Sequence, residues 1–330
     1  MKFIKDKYTE LSVLDKQKYI KLIKDKFERK LAHELDLTRV SAPLLVTKES
    51  GLQDDLSGVE RKVSFDILGG KELEIVQSLA KWKRVALNKY SFPIHKGLYT
   101  DMTAIRRDEK MDEIHSIYVD QWDWEKVIVR NDRTIDYLKR TVKKIVKAIA
   151  DTNRILKIKG FDSVDIYKDV YFITSQELLD MYPDATDKER EYLITKKYKT
   201  VFIIGIGEQL SNGKPHDTRA PDYDDWSFNG DLLIYHEVLD MALEISSMGI
   251  RVDKDTLIKQ LEKAGCEERL QYAYHQSIIK EELPLTIGGG IGQSRLCMLL
   301  LGRAHIGEVQ ASYWDKEILM QCEKLKIELL

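Results

Sequence analysis

The chain has 330 residues, 43% of them hydrophobic and 33% charged, enough to bury a sizeable core. A formal charge of −2 supplies no global positive field for a polyphosphate backbone, and no run of about 18 apolar residues is present to span a bilayer. Three scattered cysteines, Cys266, Cys297 and Cys322, exclude a disulfide framework and a CxxC zinc site, and the opening MKFIKDKYTE lacks the apolar stretch of a secretion signal, so the cytoplasm is the expected compartment.

Residues 1–30 carry ten Lys or Arg against five Asp or Glu. Ile20, Ile23, Phe27, Leu31 and Leu35 fall on one helical stripe, so these lysines read as the solvated face of a packed helix over about 15–36 rather than as a nucleic-acid arm. A strand follows at 39–46, with Pro43 marking an edge or a bulge. Further strands are expected at 72–77, 114–119, 170–174, 201–206 and 231–235. Helices are expected at about 134–158, at 175–182 behind the Thr174 to Glu177 capping box, and at 187–197, 255–264 and 267–282, with a last one from near Ser294. No linker, repeat or low-complexity tract divides the chain, and one domain over 1–330 is expected. The irregular alternation predicts an α+β fold: a mixed, mostly antiparallel sheet flanked by helices.

Gly288-Gly289-Gly290-Ile291-Gly292, followed by Gln293-Ser294-Arg295, sits where a strand runs into an apolar helix. Glycines there let backbone approach a ligand, although a tight structural turn fits the cluster equally well by itself. The spacing is not GxGxxG, and no GxxxxGK[ST] exists, so Rossmann and P-loop readings fail. His236-Glu237 has Asp240 where a zincin would need its second histidine. Trp82, Trp122, Trp124 and Trp226 read as packing residues.

Three segments in order resemble the motifs of class II aminoacyl-tRNA synthetases. LAHELDLTRVSAPLL with Pro43 is similar to motif 1 (about 15–46). Ile105-Arg106-Arg107-Asp108-Glu109 with Gln121-Trp122-Asp123-Trp124-Glu125 is similar to motif 2 (about 97–125). Gly288 to Arg295 is similar to motif 3 (about 285–301), with Ser294 in place of an acid. Gln77-Ser78-Leu79-Ala80-Lys81-Trp82-Lys83, Gly230-Asp231-Leu232-Leu233 and the stretch from Glu244 to Arg251 resemble the aspartyl and asparaginyl branch. Adding QDDLSG around Asp54, APDYDDW around Asp224 and YVDQWDWE, the chain is identified as a member of the ammonia-dependent asparagine synthetase (aspartate-ammonia ligase) family.

That resemblance implies ATP-dependent amidation of L-aspartate by ammonia through a β-aspartyl-adenylate, giving AMP and pyrophosphate, in a homodimer with no nucleic-acid or membrane partner. Charge builds on the α-phosphate during adenylation, so fixed cations are required there. Arg106 is the candidate, with Arg295 on the other side of the nucleotide and Ser116, Val119 and Gly292 completing the ATP site. Asp231 and Glu244 would hold Mg²⁺. Lys83 and Arg251 would clamp the α-carboxylate of aspartate, with Ser78, Gln121, Asp224 and Ser247 completing the pocket. Asp54 is the expected base for ammonium, oriented by Gln121. Two alternatives share the motifs: an aspartyl- or asparaginyl-tRNA synthetase paralogue, and a non-catalytic amino-acid sensor. The first is disfavoured because motif 1 begins within the first 45 residues, leaving no room for an anticodon module, and the second because Arg106, Asp231, Glu244 and Arg295 are all present. The start Met1-Lys2, rather than Met-Cys, points to free ammonia instead of glutamine.

Overall fold

The computed structural model describes residues 2–56, 60–161 and 163–330. Ser57 and Gly58 of the QDDLSG string lie outside the described residues. Helix α1 (Val13–Leu35) starts at Ser12, whose Oγ accepts the Asp15 N–H at 3.1 Å. It buries the expected stripe from Ile20 to Leu35.

The expected strand at 39–46 divides into β1 (Leu37–Arg39) and β2 (Leu45–Val46), which join different sheets. Pro43, with no N–H to donate, stands in the crossing between them. Strands β3 (Ser64–Asp66) and β4 (Glu72–Ile75) complete a three-stranded sheet with β2. After α2 (Ala80–Lys89) come β5 (Gly97–Ile105) and β6 (Tyr118–Val127), an antiparallel pair. Only the last two residues of the expected 114–119 strand are extended; Asp112 Oδ1 accepts the N–H groups of Ile114 and His115 at 2.9 and 2.8 Å and holds that stretch as a turn.

Then follow α3 (Ile135–Ile158), β7 (Tyr171–Thr174), α4 (Ser175–Met181), α5 (Asp187–Tyr198), β8 (Thr200–Ile204), β9 (Asp224–His236) and β10 (Met241–Arg251). The chain ends through α6 (Lys254–Ala264), α7 (Ala273–Ile279), β11 (Thr286–Gly292), α8 (Gln293–Leu300) and α9 (Lys316–Lys324). The expected 267–282 helix is broken at Tyr272, whose extended backbone (φ −76°, ψ 150°) separates a 3₁₀ turn from α7.

The large sheet runs β1-β5-β6-β11-β10-β9-β8-β7. Its two outermost pairs are parallel and the interior is antiparallel, the mixed class expected. Period-two alternation in β6 divides Gln121-Trp122-Asp123-Trp124-Glu125 between two faces. Trp122 and Trp124 are buried in the main core, where Phe27 of α1 meets Trp122 at a centroid distance of 4.8 Å. Gln121, Asp123 and Glu125 point to the other face, which α2 crosses and where the cavity lies. Fully burying each large aromatic ring contributes on the order of 2–3 kcal/mol, so the tryptophans set the direction in which the acids face.

Candidate active site

Gly288, Gly290 and Gly292 of β11 lie opposite Glu125, Asp123 and Gln121. A Cβ on Gly290 would stand 2.5 Å from Gln121 Oε1 and 2.7 Å from Asp123 Oδ1, and one on Gly288 would strike the Glu125 carboxylate. The glycines therefore leave the acids of β6 room to share one floor. On β10 a bulge between Glu244 and Ser246 shifts the alternation, so that Glu244 joins Ser247 on the cavity face.

Over this floor opens a cavity of about 400 Å³, walled by residues from β6, β9, β10 and β11, the loop between β5 and β6, the Asp54 segment, α2, α8 and the loop before β9. It brings together Asp54, Ser78, Lys83, Arg106, Ser116, Val119, Gln121, Asp224, Glu244, Ser247, Arg251, Gly292 and Arg295, all candidates from the sequence. Asp231 stands behind the wall: it faces Ser247 across the β9–β10 ladder and is reached through Arg219.

At the deep end every cation already has a partner. Arg251 donates through Nε and Nη2 to Glu125 Oε2 at 3.1 and 2.9 Å, and through Nη1 to Asp224. Thr286 Oγ1 donates to the other Glu125 oxygen at 2.6 Å. Burial opposes the charge on Glu125, but Arg251 and Lys83 overcome it and hold the carboxyl below its ordinary value. Lys83 Nζ donates to Gly289 O at 2.9 Å and lies 3.3 Å from Asp123 Oδ1. Burial lowers its pKa and thins its hold on a proton, against the pull of Asp123. Asp54 is fixed by Ser78 Oγ, which donates to Oδ2 at 2.5 Å, and by the Leu56 N–H, which donates to Oδ1 at 2.8 Å.

The outer end is looser. Arg106 and Arg295 are partly exposed; Arg106 lies 4.0 Å from Glu109, and its Nε is buried without a hydrogen-bond partner. Arg295 donates to Glu244 O at 3.1 Å and stands 4.0 Å from the Glu244 carboxylate. Ser116 Oγ meets Ser312 Oγ at 2.8 Å. Where the motif-3 acid is replaced by Ser294, a carboxylate arrives from β6 instead: Asp120 Oδ1 accepts the Ser294 N–H at 3.1 Å, while Lys24 of α1 holds its Oδ2 at 3.0 Å.

Asp231 and Glu244 can be tested as a cation site. Burial, opposed by Arg219 and reinforced by the charges of Glu244 and Asp217, pushes the Asp231 carboxyl up to about 7. Asp231 on β9 is paired with Arg219, and Glu244 on the neighbouring strand β10 lies in the cavity wall; carboxylates are the donor chemistry that a hard divalent cation takes, so these two residues suit such an ion. Sequence reasoning assigned no role to Arg219, Asp123 or Glu125. Arg219 lines the cavity, donates to Ser247 and Asp231, and lies 3.8 Å from Asp224. Burial lowers it, yet Asp231 and Asp224 more than compensate and raise its pKa. The signal was at hand: Arg219 directly precedes APDYDDW, and Asp123 and Glu125 alternate with the buried tryptophans.

An antiparallel-centred sheet bearing a cavity of opposed charges is the catalytic fold of class II aminoacyl-tRNA synthetases. The asparaginyl-tRNA synthetase of Entamoeba histolytica in complex with asparaginyl-adenylate matches with a TM-score of 0.69 at 15% identity, over 92% of this chain and 68% of that one. The Pyrococcus horikoshii asparaginyl-tRNA synthetase complexed with asparaginyl-adenylate matches at 0.65 and 15% identity, over 91% and 70%. Within this fold a family model described as aspartate-ammonia ligase covers residues 14–326. Proteins named aspartate--ammonia ligase from Ruminiclostridium cellulolyticum (55% identical, 94% of each chain) and Levilactobacillus brevis (53% identical, 99% of each chain) agree with it. The chain belongs to the aspartate-ammonia ligase family.

Proposed function

We propose that this chain makes L-asparagine from L-aspartate, ammonia and ATP, releasing AMP and pyrophosphate. One observation carries the reading: a single cavity holds a deep, charge-lined pocket beside Arg106, whose Nε has no partner, and Arg295. Lys83 and Arg251 suit the α-carboxylate, while Asp123 and Asp224, their carboxylate partners, suit the ammonium group. Aspartate bound this way presents its β-carboxylate to the outer end. A β-carboxylate oxygen attacks the α-phosphorus, the bond to the bridging oxygen breaks, and pyrophosphate leaves with the electron pair. Arg106 faces the charge that develops, Arg295 and Arg219 flank the nucleotide and its phosphates, and Ser116, Val119 and Gly292 line its remaining contacts. Mg²⁺ held by Asp231 and Glu244 would neutralise phosphate charge.

In the second step Asp54 takes a proton from ammonium, Gln121 orients the nitrogen, and its lone pair attacks the acyl carbon. The acyl–oxygen bond to phosphate breaks, AMP departs with that pair, and the second surplus proton goes to solvent. Ser78 holds Asp54 in place for this transfer. The edge strand β1 and exposed Leu44 support a homodimer as part of the proposal. Among the described residues no helix is long and apolar enough to cross a membrane, and the substrates suit a cytoplasmic enzyme. The reading needs no nucleic acid. Incubation with aspartate, ATP, Mg²⁺ and ammonium, without RNA, should yield asparagine, AMP and pyrophosphate in equal amounts. ADP and phosphate, or product only with tRNA, would contradict it.

A further inference from the structure

Beneath the Asp54 segment, and outside the cavity wall, lies a second cluster of buried charge that the reaction does not use. Asp222 is fully buried. Its Oδ2 accepts from Lys81 Nζ at 2.7 Å, lies 3.0 Å from His275 Nε2, and accepts from Arg269 Nη1 at 3.2 Å. These partners come from three segments: Lys81 from α2, His275 from α7 and Arg269 from the 3₁₀ turn before it. Arg269 also reaches away from the hub, with Nη2 3.6 Å from Asp55 Oδ2, and Lys62 Nζ holds the other Asp55 oxygen at 2.7 Å.

The same ground is touched a second time, closer to the start of the segment. Gly51 (φ +65°) lies so near Tyr272 that a Cβ there would stand 2.6 Å from Tyr272 Cβ and 3.6 Å from His275 Nδ1. The chain bearing Asp54 therefore rests on the Arg269–His275 stretch both three residues before Asp54 and one residue after it. Lys81 and Lys83 sit two positions apart on α2, so one hub fixes the helix that also supplies Lys83 to the cavity. Asp222 itself is two residues from Asp224. A buried ion cluster adds little stability over an apolar replacement, so its use here lies in fixing geometry.

We infer that Arg269 is a positioning residue: by joining the Asp222 hub to Asp55 it holds the neighbouring Asp54 carboxylate at the acyl carbon for the ammonia step. This rests on the reading of Asp54 as the base. Adenylation is carried by Arg106 and Arg295, whose contacts run to Glu109 and Glu244 and not to Arg269 or Asp55, so it does not depend on the tether. Because a small misplacement of a reacting group can cost up to about 100-fold, loss of the tether should slow amide formation by about tenfold or more.

The test compares two half-reactions in Arg269→Ala. Aspartate-dependent exchange of pyrophosphate into ATP, without ammonium, should stay within about threefold of the parent, while kcat for asparagine falls by about tenfold and AMP is released in excess over asparagine. Arg269→Lys should restore most of the coupling, and its folding is checked by thermal melt beside that of Arg269→Ala. If both half-reactions fall equally, or if the ratio of asparagine to AMP is unchanged, the tether is refuted. Asp54→Asn, run in parallel, separates the two ideas. Should it lose the ammonia step while Arg269→Ala keeps it, the base stands and the tether falls; should Asp54→Asn keep the step, both fall.

Discussion

The two ends of the cavity solve opposite problems. At the deep end Arg251, Glu125, Asp224, Lys83 and Asp123 are buried and bonded to one another before any substrate arrives. At the outer end Arg106, Arg295 and Glu244 are partly exposed, their side-chain ion pairs are stretched to 4.0 Å, and the Arg106 Nε has no hydrogen-bond partner. Preformed pairs fix where a small zwitterion sits; uncommitted donors are saved for charge that appears only as the phosphate bond breaks. Binding and chemistry are thereby assigned to different residues, and substitutions should separate them.

The largest effect is expected at the deep end. Arg251→Leu strands Glu125 and Asp224 without their cation and should cost about 3–5 kcal/mol of stability in urea unfolding at pH 7, along with all aspartate-dependent exchange. An unaltered unfolding midpoint would erase the contrast. At the outer end Arg106→Ala should lower the exchange rate by about 100- to 1,000-fold and leave the unfolding midpoint unchanged. A fall in stability matching that of Arg251→Leu would show the two ends to be alike.

Asp222→Asn probes the buried hub by its pH dependence. Burial resists ionisation of Asp222, but Lys81, His275 and Arg269 overcome it and hold the carboxyl far below its ordinary value of 3.8. A carboxyl depressed on folding stabilises the protein above its unfolded pKa, and that contribution is lost as pH falls below it. The variant should therefore be less stable by about 1.5–3 kcal/mol at pH 7, and the gap should narrow below about pH 4. A gap that is constant with pH would remove the ionised hub. The smallest effect belongs to Gly290→Ala, which crowds Gln121 and Asp123 and should cost about 1 kcal/mol of stability with a raised KM for aspartate.

How much of this was legible in the sequence depended on whether a residue's task was local. The stripe of α1, the capping box of α4 and the strand-to-helix run at Gly292 follow from nearest neighbours, and they stand where expected. Strand β10 was not read as a strand from periodicity, because the bulge after Glu244 breaks its alternation. Helix α2 has two lysines and an arginine on buried positions, an amphipathic pattern that composition hides. At the site, thirteen of the candidates share the cavity wall because they were found through family-like strings rather than through spacing. Arg219 and Asp123 escaped assignment since each acts on a residue far away in the chain: Arg219 on Asp231 and Ser247, Asp123 on Lys83.

Contact between the two ends of the cavity requires that the side-chain carboxylate of aspartate be joined to the α-phosphate at the outer end before ammonia attacks. Aspartate labelled with ¹⁸O in its β-carboxylate puts this to the test, by mass spectrometry of the nucleotide formed during turnover with ammonium. AMP should carry one ¹⁸O atom for each asparagine made. Unlabelled AMP, or label in inorganic phosphate beside ADP, would contradict it.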